Sequence, residues 1–150
     1  MVIRRKAELT TSRWSGGTTT ELFIYPAGSS YSARDFDVRI STATVEFETS
    51  EFTILPGYSR ILVVLEGSLK LHFDTERPYE AGLEAGEQIC FPGDYRTTGY
   101  GKVRDFNVMT RGDYFASVEV HRVANGSLFV PEHGPGPAIV FVLAGMVAAE

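Results

Sequence analysis

The sequence predicts an all-β fold of the sandwich or barrel kind, and three observations carry that prediction. Turn residues recur at short intervals, at Gly16-Gly17, Pro26, Gly28, Pro56-Gly57, Gly67, Gly82, Gly86, Pro92-Gly93, Gly99 and Gly101. The runs between them are rich in β-branched and aromatic residues. No segment sustains the 3.6-residue apolar period of a helix. Punctuation this dense leaves room for strands of ordinary length and little for helices.

Taken in order, strands are expected over 20–25, 36–48, 51–55, 60–66, 68–73, 87–91, 103–111, 114–122, 127–130 and 138–148. The segment from Phe36 changes phase. Phe36, Val38 and Ile40 share one parity, whereas Ala43, Val45 and Phe47 take the other. A bulge near Thr42 accounts for such a switch. Ile61 to Gly67 aligns with Ile139 to Gly145, each an apolar run ending in glycine, at an offset of 78 residues. A duplicated module fits the evenly β-rich chain, with a chance likeness of two apolar hairpin arms as the alternative.

The chain of 150 residues is one domain in length and can build a core without disulfides or a structural metal. If the repeat is a duplication, residues 36–100 form one module, and residues 101–150 with the N-terminal strand form the other. The net charge of −5 excludes a nucleic-acid surface, which needs clustered Lys and Arg. The run Arg4-Arg5-Lys6 is short and reads as a solvated end. Cys90 is the single cysteine, so no intrachain disulfide forms, and its place in Ile89-Cys90-Phe91 predicts a buried thiol. The polar stretch Glu8 to Ser15 does not suit a secretory leader. The longest apolar run, Ala138 to Ala144, is far too short to span a bilayer. No membrane partner is expected, and the absent signals point to the cytoplasm.

The spacing of glycine and proline is that of a cupin-type β-barrel. Gly86, five residues, then Pro92-Gly93 reproduces the frame of the second cupin motif, and Gly67 is the glycine of the first. The motif positions that carry metal ligands in cupins hold Ile54, Pro56, Arg60 and Thr97 here. Transition metals need imidazole, carboxylate or thiolate donors, and arginine is a permanent cation that repels a metal. His72, His121 and His133 show no ligand spacing. No metal and no other cofactor is therefore expected.

Three features stand apart from packing. Trp14-Ser-Gly16-Gly17-Thr-Thr-Thr-Glu21 places a tight glycine turn before a strand that contains Glu21. Arg39 lies mid-strand, and Arg60 opens the most apolar strand. Each must be paired if it points inward, because a lone buried charge is costly. In Asp105-Phe-Asn107-Val-Met109-Thr-Arg111, alternation sends Asp105, Asn107, Met109 and Arg111 to one face. Phe106 and Val108 on the other face are expected between the sheets. A lumen holding Arg39, Arg60, Asp105 and Asn107 suits a carboxylate, whose geometry matches the guanidinium fork.

These segments resemble the HutD/Ves family of cupin-type proteins. The matching residues are Trp14 with Gly16-Gly17-Thr18, Val38-Arg39-Ile40-Ser41 with Ala43, Phe52 to Gly57 with Arg60, Leu65-Glu66-Gly67, Phe91 to Asp94, and Asp105 to Arg111. The resemblance covers about residues 10 to 112. It implies a compact two-module (bicupin) barrel whose members are not established enzymes. The HutD branch accompanies histidine-degradation operons and is thought to bind a pathway acid, such as urocanate or a formylated glutamate, as a brake. It implies a pocket at Arg39, Arg60, Asp105, Asn107 and Met109, with Trp14 and Glu21 near it. The chain departs from the family pattern at Gly112, where a second arginine is usual, and in its short C-terminal part.

The first reading is thus a metal-free binder of a small organic acid. A metal-independent enzyme with Asp105 or Glu21 as general base is the second, and a structural homodimer formed through a sheet edge is the third.

Overall fold

The computed structural model describes residues 4–130 and 136–145. The chain divides into two compact units, Met1–Val118 and Glu119–Glu150. The first unit carries ten strands: β1 (Thr10–Trp14), β2 (Gly17–Tyr25), β3 (Val38–Val45), β4 (Thr49–Glu51), β5 (Tyr58–Glu66), β6 (Ser68–Asp74), β7 (Tyr79–Glu84), β8 (Gln88–Pro92), β9 (Arg96–Tyr100) and β10 (Val103–Arg111). The one helical element among the described residues is a single 3-10 turn at Lys6–Glu8. No helix among them is long and apolar enough to cross a membrane.

The strands form two antiparallel sheets rather than one closed barrel. The larger runs β1-β2-β3-β10-β5-β8 and the smaller β4-β9-β6-β7. Leu62, Val64 and Phe91 from the larger sheet pack with Leu69, Leu71, Phe73 and Leu83 from the smaller. The two sheets therefore face each other across this core. Each fully buried aliphatic or aromatic side chain there contributes about 1.5–3 kcal/mol. A second cluster, Phe36, Leu55, Tyr58 and Met109, closes one end.

Gly17 and Gly93 are among the glycines that close backbone approach requires. A side chain at Gly17, whose φ is +152°, would collide with the Thr44 carbonyl on the neighbouring strand. At Gly93 a Cβ would meet the Leu55 and Tyr58 carbonyl oxygens at 2.6 and 3.0 Å. The Gly93 N–H donates to Tyr58 O at 2.7 Å, and its own carbonyl accepts from Leu55 N–H at 2.6 Å. The motif glycine thus anchors the turn that launches β5, the strand of Arg60.

Several expectations from sequence change. The phase switch does not sit at Thr42 in β3. The extra residue is Leu22 in β2, between the Glu21–Ser41 and Phe23–Ile40 pairs. Phe106 and Val108 are buried, but not between the sheets: Asp105, Asn107 and Met109 hold that face, and Phe106 and Val108 lie on the opposite face of β10. Residues 114–122 and 127–130 form no strand, nor do 138–145, and 146–148 lie outside the described residues. A β-prone run becomes a strand only when a partner backbone satisfies its N–H and C=O groups. Among the described residues the repeat has no counterpart as a second hairpin: Gly67 turns β5 into β6, whereas residues 136–144 before Gly145 form no strand, and the two-module arrangement is not seen. Cys90 is exposed, because β8 is an edge strand and Cys90 points away from the core. Strands β1, β7 and β9 were not expected; they are short and largely polar.

Candidate functional site

Register alone assembles the site. Ile24, Arg39, Met109, Arg60 and Phe91 stand in one row across β2, β3, β10, β5 and β8. Glu21, Ser41, Asn107 and Leu62 form the next row, and Ala43, Asp105 and Val64 the one after. Directly paired residues project to the same face. Leu62, Val64 and Phe91 lie in the inter-sheet core, so Arg39, Arg60, Asp105 and Asn107 face the space between the sheets. The Leu22 bulge resets the phase of β2, so that Ile24 and Glu21, three residues apart, both join this face.

Arg39 is buried and fully engaged. Its Nε donates to Glu21 Oε2 at 3.0 Å, its Nη1 donates to Ser41 Oγ at 3.1 Å, and its guanidinium lies 4.4 Å from the Tyr31 ring centroid. Glu21 is partly exposed and also borders a surface cavity of about 250 Å³ beside Arg4, Glu8, Phe23 and Ile24. Through Glu21, the buried row reaches the surface.

Arg60 is equally buried, at 6% exposure, and poorly satisfied. Its Nη1 donates to Thr53 O at a long 3.4 Å, and its Nε has no partner. The guanidinium sits 5.1 Å from the Phe52 ring centroid and 5.3 Å from that of Phe91, a cation–π clamp that fixes its position. A buried arginine calls for a carboxylate partner, and Asp105 and Glu21 share its face, but neither forms an ion pair with it. Glu21 is taken by Arg39, and Asp105 acts on Arg60 through space without a direct ion pair. Burial lowers the pKa of Arg60, opposed by Tyr31 and Asp105.

Asp105 is 5% exposed, and burial pushes its carboxyl up to about 7 despite Arg60 and a backbone hydrogen bond from Ala43. Asn107 is buried with its Oδ1 unpartnered. One face thus presents an unfilled donor at Arg60 and an unfilled acceptor at Asn107. Met109 packs in the end cluster with Phe36, Leu55 and Tyr58. Trp14, 37% exposed, lies at the end of edge strand β1 with its ring over Gly16. It pairs with Gly17, four positions along β2 from Glu21, or about 13 Å.

The loop before β3 caps the row. Tyr31 stacks under Arg34 at 4.0 Å as well as under Arg39. The Tyr58 hydroxyl donates toward the Arg34 and Phe36 carbonyls at 3.0 and 2.8 Å. Arg111 donates to Arg34 O at 3.0 Å and to Asp37 Oδ1 at 2.9 Å. Sequence reasoning missed Tyr31, Phe52, Thr53 and Tyr58 as site residues. Three are in loops, where periodicity carries no information, and Tyr58 reads as ordinary core.

The cupin fold implies a metal, and these residues do not fit one. At the ligand positions, Ile54 is 44% exposed, Arg60 holds a cation in the interior, and Thr97 Oγ1 is spent on Tyr95 O at 3.1 Å. Among the described residues no three His, Cys, Asp or Glu side chains converge. His72 pairs with Glu80 and His121 with Glu119 at the surface; His133 lies outside the described residues.

A sequence profile of the HutD family matches residues 6–150. Among solved structures, the chain is similar to a conserved protein of unknown function from Pseudomonas aeruginosa PAO1, with 30% identity and a TM-score of 0.60 over 71% of this chain and 55% of that one. It is similar to HutD from Pseudomonas fluorescens SBW25, with 28% identity and a TM-score of 0.60 over 71% of this chain and 58% of that one. The chain therefore spans little more than half the length of these relatives. Oxalate decarboxylase of Bacillus subtilis shares the cupin-like fold at 10% identity and a TM-score of 0.55, over 73% of this chain and 29% of that one; this likeness concerns the fold alone.

Proposed function

The chain belongs to the HutD family, and on that premise we propose that it binds a small carboxylic acid between its sheets, against Arg60. One observation carries this reading: a buried guanidinium with no carboxylate partner and an unfilled Nε. Leaving a cation so under-paired in the interior is costly. A carboxylate answers it, accepting from Nε and Nη in the bidentate geometry that arginine favours. Asn107 Oδ1 and Asp105 line the same face and select what the rest of the acid carries. A link to histidine utilisation follows from the family, with urocanate and formylated glutamate as candidates.

The test is a thermal melt with formate, acetate, urocanate and formylated glutamate. At a hundredfold excess over Kd, a bound acid stabilises the fold by about 2.7 kcal/mol. Arg60→Met should abolish the shift. If none of the acids moves the wild-type melt, the reading is lost.

A second reading is favoured by Asp105, whose carboxyl near 7 suits a general base. Turnover of any of these acids, lost in Asp105→Asn, would establish it.

A further inference from the structure

With Asp105 ionised, the inter-sheet charges balance before any ligand arrives. Arg39 is neutralised by Glu21 at 3.0 Å, and the one carboxylate acting on Arg60 is Asp105. The other groups acting on Arg60 are the Tyr31 phenol and the cations Arg39 and Arg34. On Asp105 the acting charge is Arg60. An incoming carboxylate that takes the free Nε of Arg60 leaves Asp105 without its only counter-charge. Two carboxylates would then share one guanidinium among buried side chains, and like charges so placed cannot both stay ionised.

We propose that the site takes up its carboxylate together with one proton, and that the proton goes to the Asp105 carboxylate. The inference rests on the binding reading above and adds its stoichiometry. The proton comes from solvent and forms an O–H bond at Asp105; the acid enters as the anion, and the net charge of the interior is unchanged. The geometry gives the new O–H a use. Asn107, two residues along β10 on the same face, has a buried Oδ1 that lacks a donor, and a protonated Asp105 supplies one. Ionised Asp105 offers only acceptors, and cannot. Its carboxyl is already raised to about 7 by burial, so the transfer needs only a modest further push.

The test is calorimetric titration of the protein with formate and with acetate, each in phosphate and in Tris. These buffers differ in ionisation enthalpy, so the difference in observed heat counts protons. At about pH 8 close to one proton should be taken up per acid bound, and at about pH 6 close to none. The Kd should weaken about tenfold between those two pH values. Asp105→Asn should bind with equal heats in both buffers and with a flat pH dependence. Equal wild-type heats at about pH 8 would overturn proton uptake and leave acid binding intact. Uptake that persists in Asp105→Asn would overturn the assignment to Asp105. No binding of either acid at any pH would overturn the binding reading, and this inference with it. The wild-type buffer comparison decides the matter even if the variant fails to fold.

Discussion

Arg39 and Arg60 flank Met109 in one row of the larger sheet, each its direct partner from opposite sides, yet only Arg39 holds a carboxylate. Their Cα atoms are two strand spacings apart, about 10 Å. The difference between them lies in the neighbouring strand. β2, beside Arg39, brings Glu21 inward through its bulge, whereas β8, beside Arg60, brings Phe91. The same residue type is thus a structural ion pair on one side and an open cation on the other.

The pairing of Arg39 is tested by Glu21→Gln. Arg39 keeps Ser41 and the Tyr31 ring but loses its charged partner. Glu21 is 31% exposed at its side chain, so solvent moderates the loss. Denaturant unfolding should show a cost of about 2 kcal/mol. A neutral result would mean that water serves Arg39 as well as Glu21 does.

Arg60 should separate binding from stability. Arg60→Met keeps the stem between Phe52 and Phe91 and removes an under-paired charge, so at about pH 6 its stability should stay within about 1 kcal/mol of wild type. Acid binding should disappear. Arg60→Lys keeps the charge without the fork, and binding should stay at least tenfold weaker than wild type. A large loss of stability in Arg60→Met would show that the Thr53 contact and the charge hold the sheets together.

Asp105 should make stability fall with rising pH. Its folded carboxyl is raised to about 7 from 3.8, so the native state binds more protons than the unfolded state between those values. The stabilisation is full below about pH 4 and is lost as pH rises to about 7; the loss is on the order of 4 kcal/mol. Asp105→Asn should lack this slope and exceed wild type in stability above about pH 7. Parallel pH–stability curves for the two proteins would contradict the burial argument.

Tyr58→Phe removes the hydroxyl that holds the Arg34 and Phe36 carbonyls while keeping the ring against Phe36, tilted with centroids 4.6 Å apart. A cost of about 1–2 kcal/mol is expected. Faster hydrogen exchange should be confined to the segment from Pro26 to Asp37, which carries Tyr31. Exchange that quickens throughout the sheets instead would assign Tyr58 to the core rather than to the loop.

The candidate site residues Arg39, Arg60, Asp105 and Asn107 were legible as polar positions in apolar strands, and a strand period of two sends Asp105 and Asn107 to one face; Met109 entered through the family resemblance. The all-β class follows from turn spacing, and six of the ten strands lie where β-rich runs predict them; the run expected over 51–55 meets β4 only at Glu51. Strands β1, β7 and β9 were hidden because short, largely polar strands are built by their partners' backbones, not by an apolar pattern of their own.

Only the tertiary structure decided which partner each charge meets. Alternation cannot say which face of β10 turns inward, because β10 is a central strand with both faces buried, and the sequence reading chose Phe106 and Val108. It cannot see the Leu22 bulge that delivers Glu21 to Arg39, since one inserted residue leaves the composition of β2 unchanged. It cannot separate a β-prone run that finds a partner from one that does not, so Ile61 to Glu66 is a strand and Ile139 to Ala144, with much the same pattern, is not. Residue chemistry is local and is written along the chain. Pairing depends on register between strands tens of residues apart, and that is set when the sheets form.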